Sequence, residues 1–158
     1  MREILFRGKR MGNGDWVEGY LYEHEPPLVG IVSEKDEPEA SKWFIARTGF
    51  ADWNMPRPVE LVEVDPSTVG QYTGLEDKNG KRIFEGDIVQ YEERQMGGGD
   101  VLAAFPVTFE EGGFCVHYYF LNNWLIGGSA GNTKLERIEV IGNIHDNPEF
   151  MKGDADNG

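Results

Sequence analysis

Val64 to Val89, VDPSTVGQYTGLEDKNGKRIFEGDIV, is the stretch whose reading decides the fold. Asp65-Pro66 is a helix-start pair: the carboxylate can accept from the free N–H groups of a first turn, and proline fits a position whose N–H has no partner anyway. Gly70 follows soon after and Gly74 soon after that, so the spacing predicts a helix of about one turn, ended by a residue free to take positive φ. The chain then runs extended to Asp77-Lys78-Asn79-Gly80, a turn signal because Asn and Gly tolerate left-handed backbone. Lys81-Arg82-Ile83-Phe84 and Glu85-Gly86-Asp87-Ile88-Val89 come next, a charged, glycine-kinked step into a β-branched pair, as in the entry to a small closed β-barrel. Nothing in this run has the arrangement of a catalytic group.

Composition agrees with a β reading. The chain has 158 residues, 39% of them apolar and 12% aromatic, which is too rich in core-forming side chains for a disordered chain and enough for one domain or two small ones. Val, Ile, Phe, Tyr and Trp recur in short runs broken by Gly and Pro. The fold class expected is mainly β, with short strands in small barrel-like sheets and one or two short helical turns. Residues 1–63 form an N-terminal β subdomain, residues 64–150 a C-terminal barrel-like one, and residues 151–158 a disordered tail.

The net charge is −13, and it is uneven: residues 1–63 carry 8 basic and 12 acidic groups, net −4, and residues 64–158 carry 7 and 16, net −9. Duplex DNA binding depends on Lys and Arg releasing counterions, so direct nucleic-acid binding is not expected, although Arg7-Gly8-Lys9-Arg10 is a local basic patch. The acidity reads as a solubility device. Its sharper alternative is mimicry of nucleic acid, a decoy for a host DNA-binding protein. A lone Cys115 fits a reducing cytoplasm. No signal peptide or membrane-spanning run is present, so a cytoplasmic protein without membrane contact is expected.

Taken in order, Glu3–Arg10 and Trp16–Glu23 read as a hairpin across Gly12-Asn13-Gly14-Asp15. In its second strand Trp16, Glu18, Tyr20 and Tyr22 alternate with Val17, Gly19 and Leu21, so aromatics line one face and aliphatics the other, both partly covered. Leu28–Val32 reads as a short buried strand, Ser33–Ser41 as a solvated acidic loop, and Lys42–Arg47 as a strand around Trp43. Thr48–Pro58 is irregular and carries Trp53; Val59–Val64 is an edge strand. Beyond the opening stretch, Ile88–Glu92 is a strand, Arg94–Asp100 a glycine-rich connection, and Val101–Phe109 pairs with Phe114–Phe120. Asn122–Asn132 is loop-like and holds Trp124. Leu135–Ile144 is the closing strand.

Candidate chemistry is sparse. The three histidines, His24, His117 and His145, have no spacing suited to metal ligands, so no metal or cofactor is expected. Cys115 and His117 lie two apart and can share a strand face, which makes them the one nucleophile–base pair available to a small-substrate enzyme. Free cysteine is more often simply buried, and no third orienting group accompanies the pair. Glu92-Glu93 and Glu110-Glu111 border turns and read as surface charge. The glycine runs at 97–99 and 127–131 lack the lysine and spacing of a phosphate loop.

Several pieces resemble the YopX family of phage and prophage proteins: Phe6-Arg7-Gly8-Lys9-Arg10, Trp16-Val17-Glu18-Gly19, Val69-Gly70-Gln71-Tyr72-Thr73-Gly74-Leu75 with Asp77-Lys78-Asn79-Gly80, Ile83-Phe84-Glu85-Gly86-Asp87-Ile88-Val89, and Val140-Ile141-Gly142-Asn143-Ile144 with Asn147-Pro148-Glu149. The resemblance spans nearly the whole chain. It implies a phage-encoded, mainly β cytoplasmic protein and no catalytic residues. The reading is therefore a non-enzymatic module that self-associates or binds a host or phage protein. Trp16, Trp43, Trp53, Gln71, Tyr72, Asp77, Lys78 and Trp124 are its candidate partner-binding residues.

Overall fold

A computed structural model of the chain describes residues 3–25, 41–49, 54, 58–94, 100–110, 112–118, 121–125 and 138–152; for 91–94, 100–103, 117–118, 121–125 and 151–152 only the backbone is described. The expected strand at Leu28–Val32, the loop at Ser33–Ser41 except its last residue, the Gly97–Gly99 run and the tail beyond Lys152 lie outside these residues. The chain divides into two compact units, Ile4–Gly70, and Gln71–Gly158 together with Met1–Glu3. Strands dominate, pairing is antiparallel, and the described helices are short 3-10 turns.

In the first unit β1 (Phe6–Lys9), β2 (Trp16–His24), β3 (Lys42–Thr48) and β4 (Val59–Val64) pair in the order β4-β3-β2-β1. Period-two alternation places Val17, Ile45 and Val64 on the inner face, all buried, with Phe6, Leu21, Trp43, Val62 and Val69 packed round them. The hairpin turn is set by Asn13, whose Oδ1 accepts from Asp15 N at 3.1 Å. At one end the first strand curls back to the last: Arg10 bridges Val64, Met11 N donates to Glu63 O at 3.1 Å, and Asp65 N donates to Lys9 O at 2.8 Å. The curl stops at that bridge, so the sheet is barrel-like without being a closed barrel.

Asp65 caps the turn Pro66–Thr68 as its residue type predicts, Oδ1 accepting from Ser67 N at 2.9 Å. The stop differs from expectation. The turn ends on Val69 in extended conformation, and the positive φ falls at Gly74 (+87°), inside β5 (Gly70–Glu76). There the β5–β6 register shifts between Tyr72 and Glu76, so this glycine serves a strand irregularity and not a helix end.

In the second unit β5 pairs with β6 (Arg82–Phe84), and β7 (Asp87–Arg94), β8 (Asp100–Glu110), β9 (Gly113–Tyr118), β10 (Leu121–Leu125) and β11 (Ile138–Asn143) form an open sheet in the order β10-β9-β8-β7-β11. Its core joins Ile83, Val89, Phe105, Val107, Phe114, Val116, Ile138 and Val140, with Leu75 against it. Burying side chains of this size contributes about 1.5–3 kcal/mol each. β10 corrects the loop reading of residues 122–132: Leu121 pairs with Tyr118, Trp124 with Val116 and Leu125 with Cys115, across a register shift. Its two asparagines hid a strand that depends on its neighbour β9 more than on its own composition.

Candidate interaction face

Across β2, β3 and β4 the register aligns Tyr20, Ala46 and Leu61 in one row and Tyr22, Phe44 and Glu63 in the next. Because side chains alternate, these rows share the face opposite the Val17–Ile45–Val64 core, and Val59 lies on it beside Leu61. The exposures are 61% for Tyr20, 47% for Tyr22, 72% for Val59 and 54% for Leu61. The outer face of the hairpin is thus partly covered, at Trp16, and open at Tyr20 and Tyr22. Tyr22 and Phe44 rings lie 6.3 Å apart and tilted, and the Tyr22 hydroxyl lies 3.4 Å from His24 Nδ1. Further along β2, Trp16 is flanked by two cations of β1, Arg7 Cζ at 4.7 Å and Lys9 Nζ at 5.5 Å from the ring centre.

The residues singled out from sequence fall into different settings. Trp16 lies on the outer face and Trp43 on the inner one, packed on the core. Trp53 lies outside the described residues, and of Trp124 only the backbone position in β10 is described. Gln71 offers its carbonyl to Glu85 N at 2.9 Å. Tyr72 is buried, 5.4 Å from Phe84 ring to ring, with Arg82 Cζ 5.6 Å over it.

Asp77 and Lys78 build a latch within the second unit. Asp77 Oδ1 accepts from Asn79 N at 2.8 Å and Lys81 N at 2.9 Å, folding the turn that Asn79-Gly80 predicts. Its Oδ2 accepts from Val140 N at 2.9 Å, while Lys78 N donates to Ile138 O at 3.0 Å and Lys78 Nζ pairs with Glu139. The turn thus lies along the side of β11 that faces away from β7, and the carboxylate takes the place of a strand carbonyl. Burial raises the Asp77 pKa, but the three N–H donors and the Lys81 charge outweigh it and hold the carboxyl below its ordinary range.

Two further polar residues of the motifs, Asp87 and Asn143, are engaged in the same way. Asp87 is buried and its Oδ2 accepts from Phe84 N at 2.8 Å; Gly86, at φ +81°, donates to Val107 O at 2.9 Å and accepts from Ile144 N at 2.9 Å. Asn143 Oδ1 accepts from His145 N and Asp146 N at 3.0 and 2.9 Å, turning the chain after β11. Cys115 is buried with Sγ 3.4 Å from Thr108 Oγ1, and the His117 side chain lies outside the described atoms. Among the described residues no group of three or more His, Cys, Asp or Glu is placed to hold a metal, and no helix is long and apolar enough to cross a membrane.

Tyr20, Tyr22, Val59 and Leu61 are not among the residues that the sequence singles out. The alternation of β2 shows an aromatic side; which side faces outward depends on pairing with β3 and β4, which the sequence of β2 does not contain.

Against known proteins, a search of curated sequences returned no match. Among solved structures, the crystal structure of protein EF1440 from Enterococcus faecalis is similar, with a TM-score of 0.54 and 21% identity over 96% of this chain and 99% of that one. That likeness bears on the fold. The YopX protein family matches residues 28–152, most of the chain. The chain is a member of the YopX family.

Proposed function

We propose that the protein is a non-enzymatic β-module that binds protein through the outer face of its first unit. It serves a phage or prophage in the bacterial cytoplasm, as its family membership suggests. One observation carries the reading: Tyr20, Tyr22, Val59 and Leu61 stand together, largely exposed, on a face backed by a packed core. Scattered exposed apolar residues need no explanation, but exposed tyrosines and aliphatic side chains in neighbouring rows of one sheet face suit protein association. The Asp77, Asp87 and Asn143 side chains, by contrast, hold backbone groups and contribute to the fold.

The test is capture of proteins from host cells carrying the phage or prophage, with the intact chain and with a Tyr20→Glu, Tyr22→Glu variant as baits. A protein retained by the first and lost by the second supports the reading. Equal retention by both, or turnover of a small substrate abolished by Cys115→Ala, overturns it.

A further inference from the structure

We propose that β4 pairs antiparallel with β4 of a second copy of this chain about a two-fold axis at Glu60; this rests on the interaction-module reading above and names its partner. Gly49 N donates to Pro58 O at 2.8 Å, which sets the phase of the β3–β4 ladder. Pro58, Glu60, Val62 and Val64 direct their backbone groups toward β3, and Val59, Leu61 and Glu63 direct theirs away. Glu63 O already accepts from Met11 N, and Asp65 N donates to Lys9 O. Among the described residues, the outward amides and carbonyls of Val59 and Leu61 remain without a partner, on the residues whose side chains are 72% and 54% exposed.

Two outward residues separated by one are matched by the same two residues running the other way. Val59 meets Leu61 of the second copy and Leu61 meets Val59, each pair exchanging both backbone hydrogen bonds. A pairing centred on Leu61 instead sets Val59 against Glu63, where Met11 already lies, so that register is blocked. Charge favours the same place. Two chains of −13 repel, and contact is least opposed where acid is neutralised. Glu60 Oε2 lies 3.1 Å from Arg47 Nη2 and accepts from Arg47 Nε at 3.1 Å, so the centre carries two charges of each sign. On the outer face the two Val59–Leu61 pairs cover one another beside Ala46 and Tyr20.

Sedimentation equilibrium of the full chain over a wide concentration range tests this. The expected result is a reversible dimer that tightens with added salt as like-charge repulsion is screened. It should weaken roughly tenfold or more in Leu61→Pro, which removes an N–H that β3 does not use, and in Val59→Lys, Leu61→Lys. Hydrogen exchange in the unaltered protein reads the same edge without a variant: the Val59 and Leu61 amides should gain protection as concentration rises. A monomer at every concentration, an assembly kept by folded variants, or amides of 59 and 61 indifferent to concentration overturns the proposal. A monomer that still captures a protein through Tyr20 and Tyr22 overturns the pairing alone and leaves the module reading standing.

Discussion

Removal of the Asp77 carboxylate should destabilise the second unit by about 2–4 kcal/mol. The magnitude follows from three hydrogen bonds of unequal worth. Val140 N–H, on a buried residue of β11, loses its acceptor with no ready replacement, at about 1–3 kcal/mol. Asn79 and Lys81 N–H lie nearer solvent and cost about 0.5–1 kcal/mol each once water replaces the carboxylate. Asp77 is only 6% exposed, so relief of burying its charge offsets part of the loss. Asp77→Asn should fall between Asp77→Ala and the unaltered protein, because its carbonyl can still close the turn while its NH2 opposes Val140 N–H. Urea unfolding followed together with exchange of the Val140 and Val89 amides measures the effect on this unit. A loss below about 0.5 kcal/mol in Asp77→Ala, or an Asn variant as stable as the parent, would refute the latch. Acid gives an independent check. The folded carboxyl is held below its ordinary 3.8, so its contribution is complete above that value and fades as pH falls through the lower, folded one. The stability gap between parent and Asp77→Ala should therefore be full at neutral pH and close as pH drops below the ordinary carboxylate range.

Gly142→Ala should cost roughly 1–3 kcal/mol, since its Cβ would overlap the Asn147 side chain, with Asn147 Cγ only 2.9 Å away. Combined with Asn147→Ala, the loss should be less than the sum of the singles in a thermal double-mutant cycle; strict additivity would show that the contact is not the cause. Gly19→Ala should be worse than Gly142→Ala, because its Cβ would meet the Ala46 backbone carbonyl, which cannot swing aside, and Ile45 Cγ2 at 2.8 Å. Equal melting temperatures for the two variants would contradict that ranking. Cys115 should react with a thiol reagent only as fast as the sheet opens, because it is buried in β9. A native rate matching that of the urea-unfolded chain would count against the packing.

What the sequence disclosed depended on whether the deciding interaction is local. Asp65-Pro66, Asn13-Gly14 and Asp77-Lys78-Asn79-Gly80 each carry their own turn chemistry, and each forms the turn its residues predict. Strand β10 and the Gly74 irregularity depend on what lies alongside, and both were misread. Asp77 shows the division within one side chain: Oδ1 closes a turn four residues long, which is legible, while Oδ2 reaches Val140, 63 residues away, which is not. The outer face follows the same rule. Tyr20 and Tyr22 alternate visibly, but their joining to Phe44, Ala46 and Leu61 is a matter of register.

This separation also bears on where function resides. Several residues within the stretches that carry the family resemblance, from Val69 to Val89 and from Val140 to Glu149, use their polar groups to hold backbone: Asp77 on β11, Asp87 on Phe84, Asn143 on the turn after β11. A carboxylate accepting three N–H groups has little left with which to grip a partner, and replacing it would lower stability and binding together without separating the two. Tyr20, Tyr22, Val59 and Leu61 are the opposite case. Their backbones sit in a ladder that does not depend on side-chain chemistry on the outer face, so substitution there should change association while leaving the Val17–Ile45–Val64 core intact. Variants on that face can therefore lose binding with no shift in unfolding, whereas variants in the motif-rich stretch should lose both or neither.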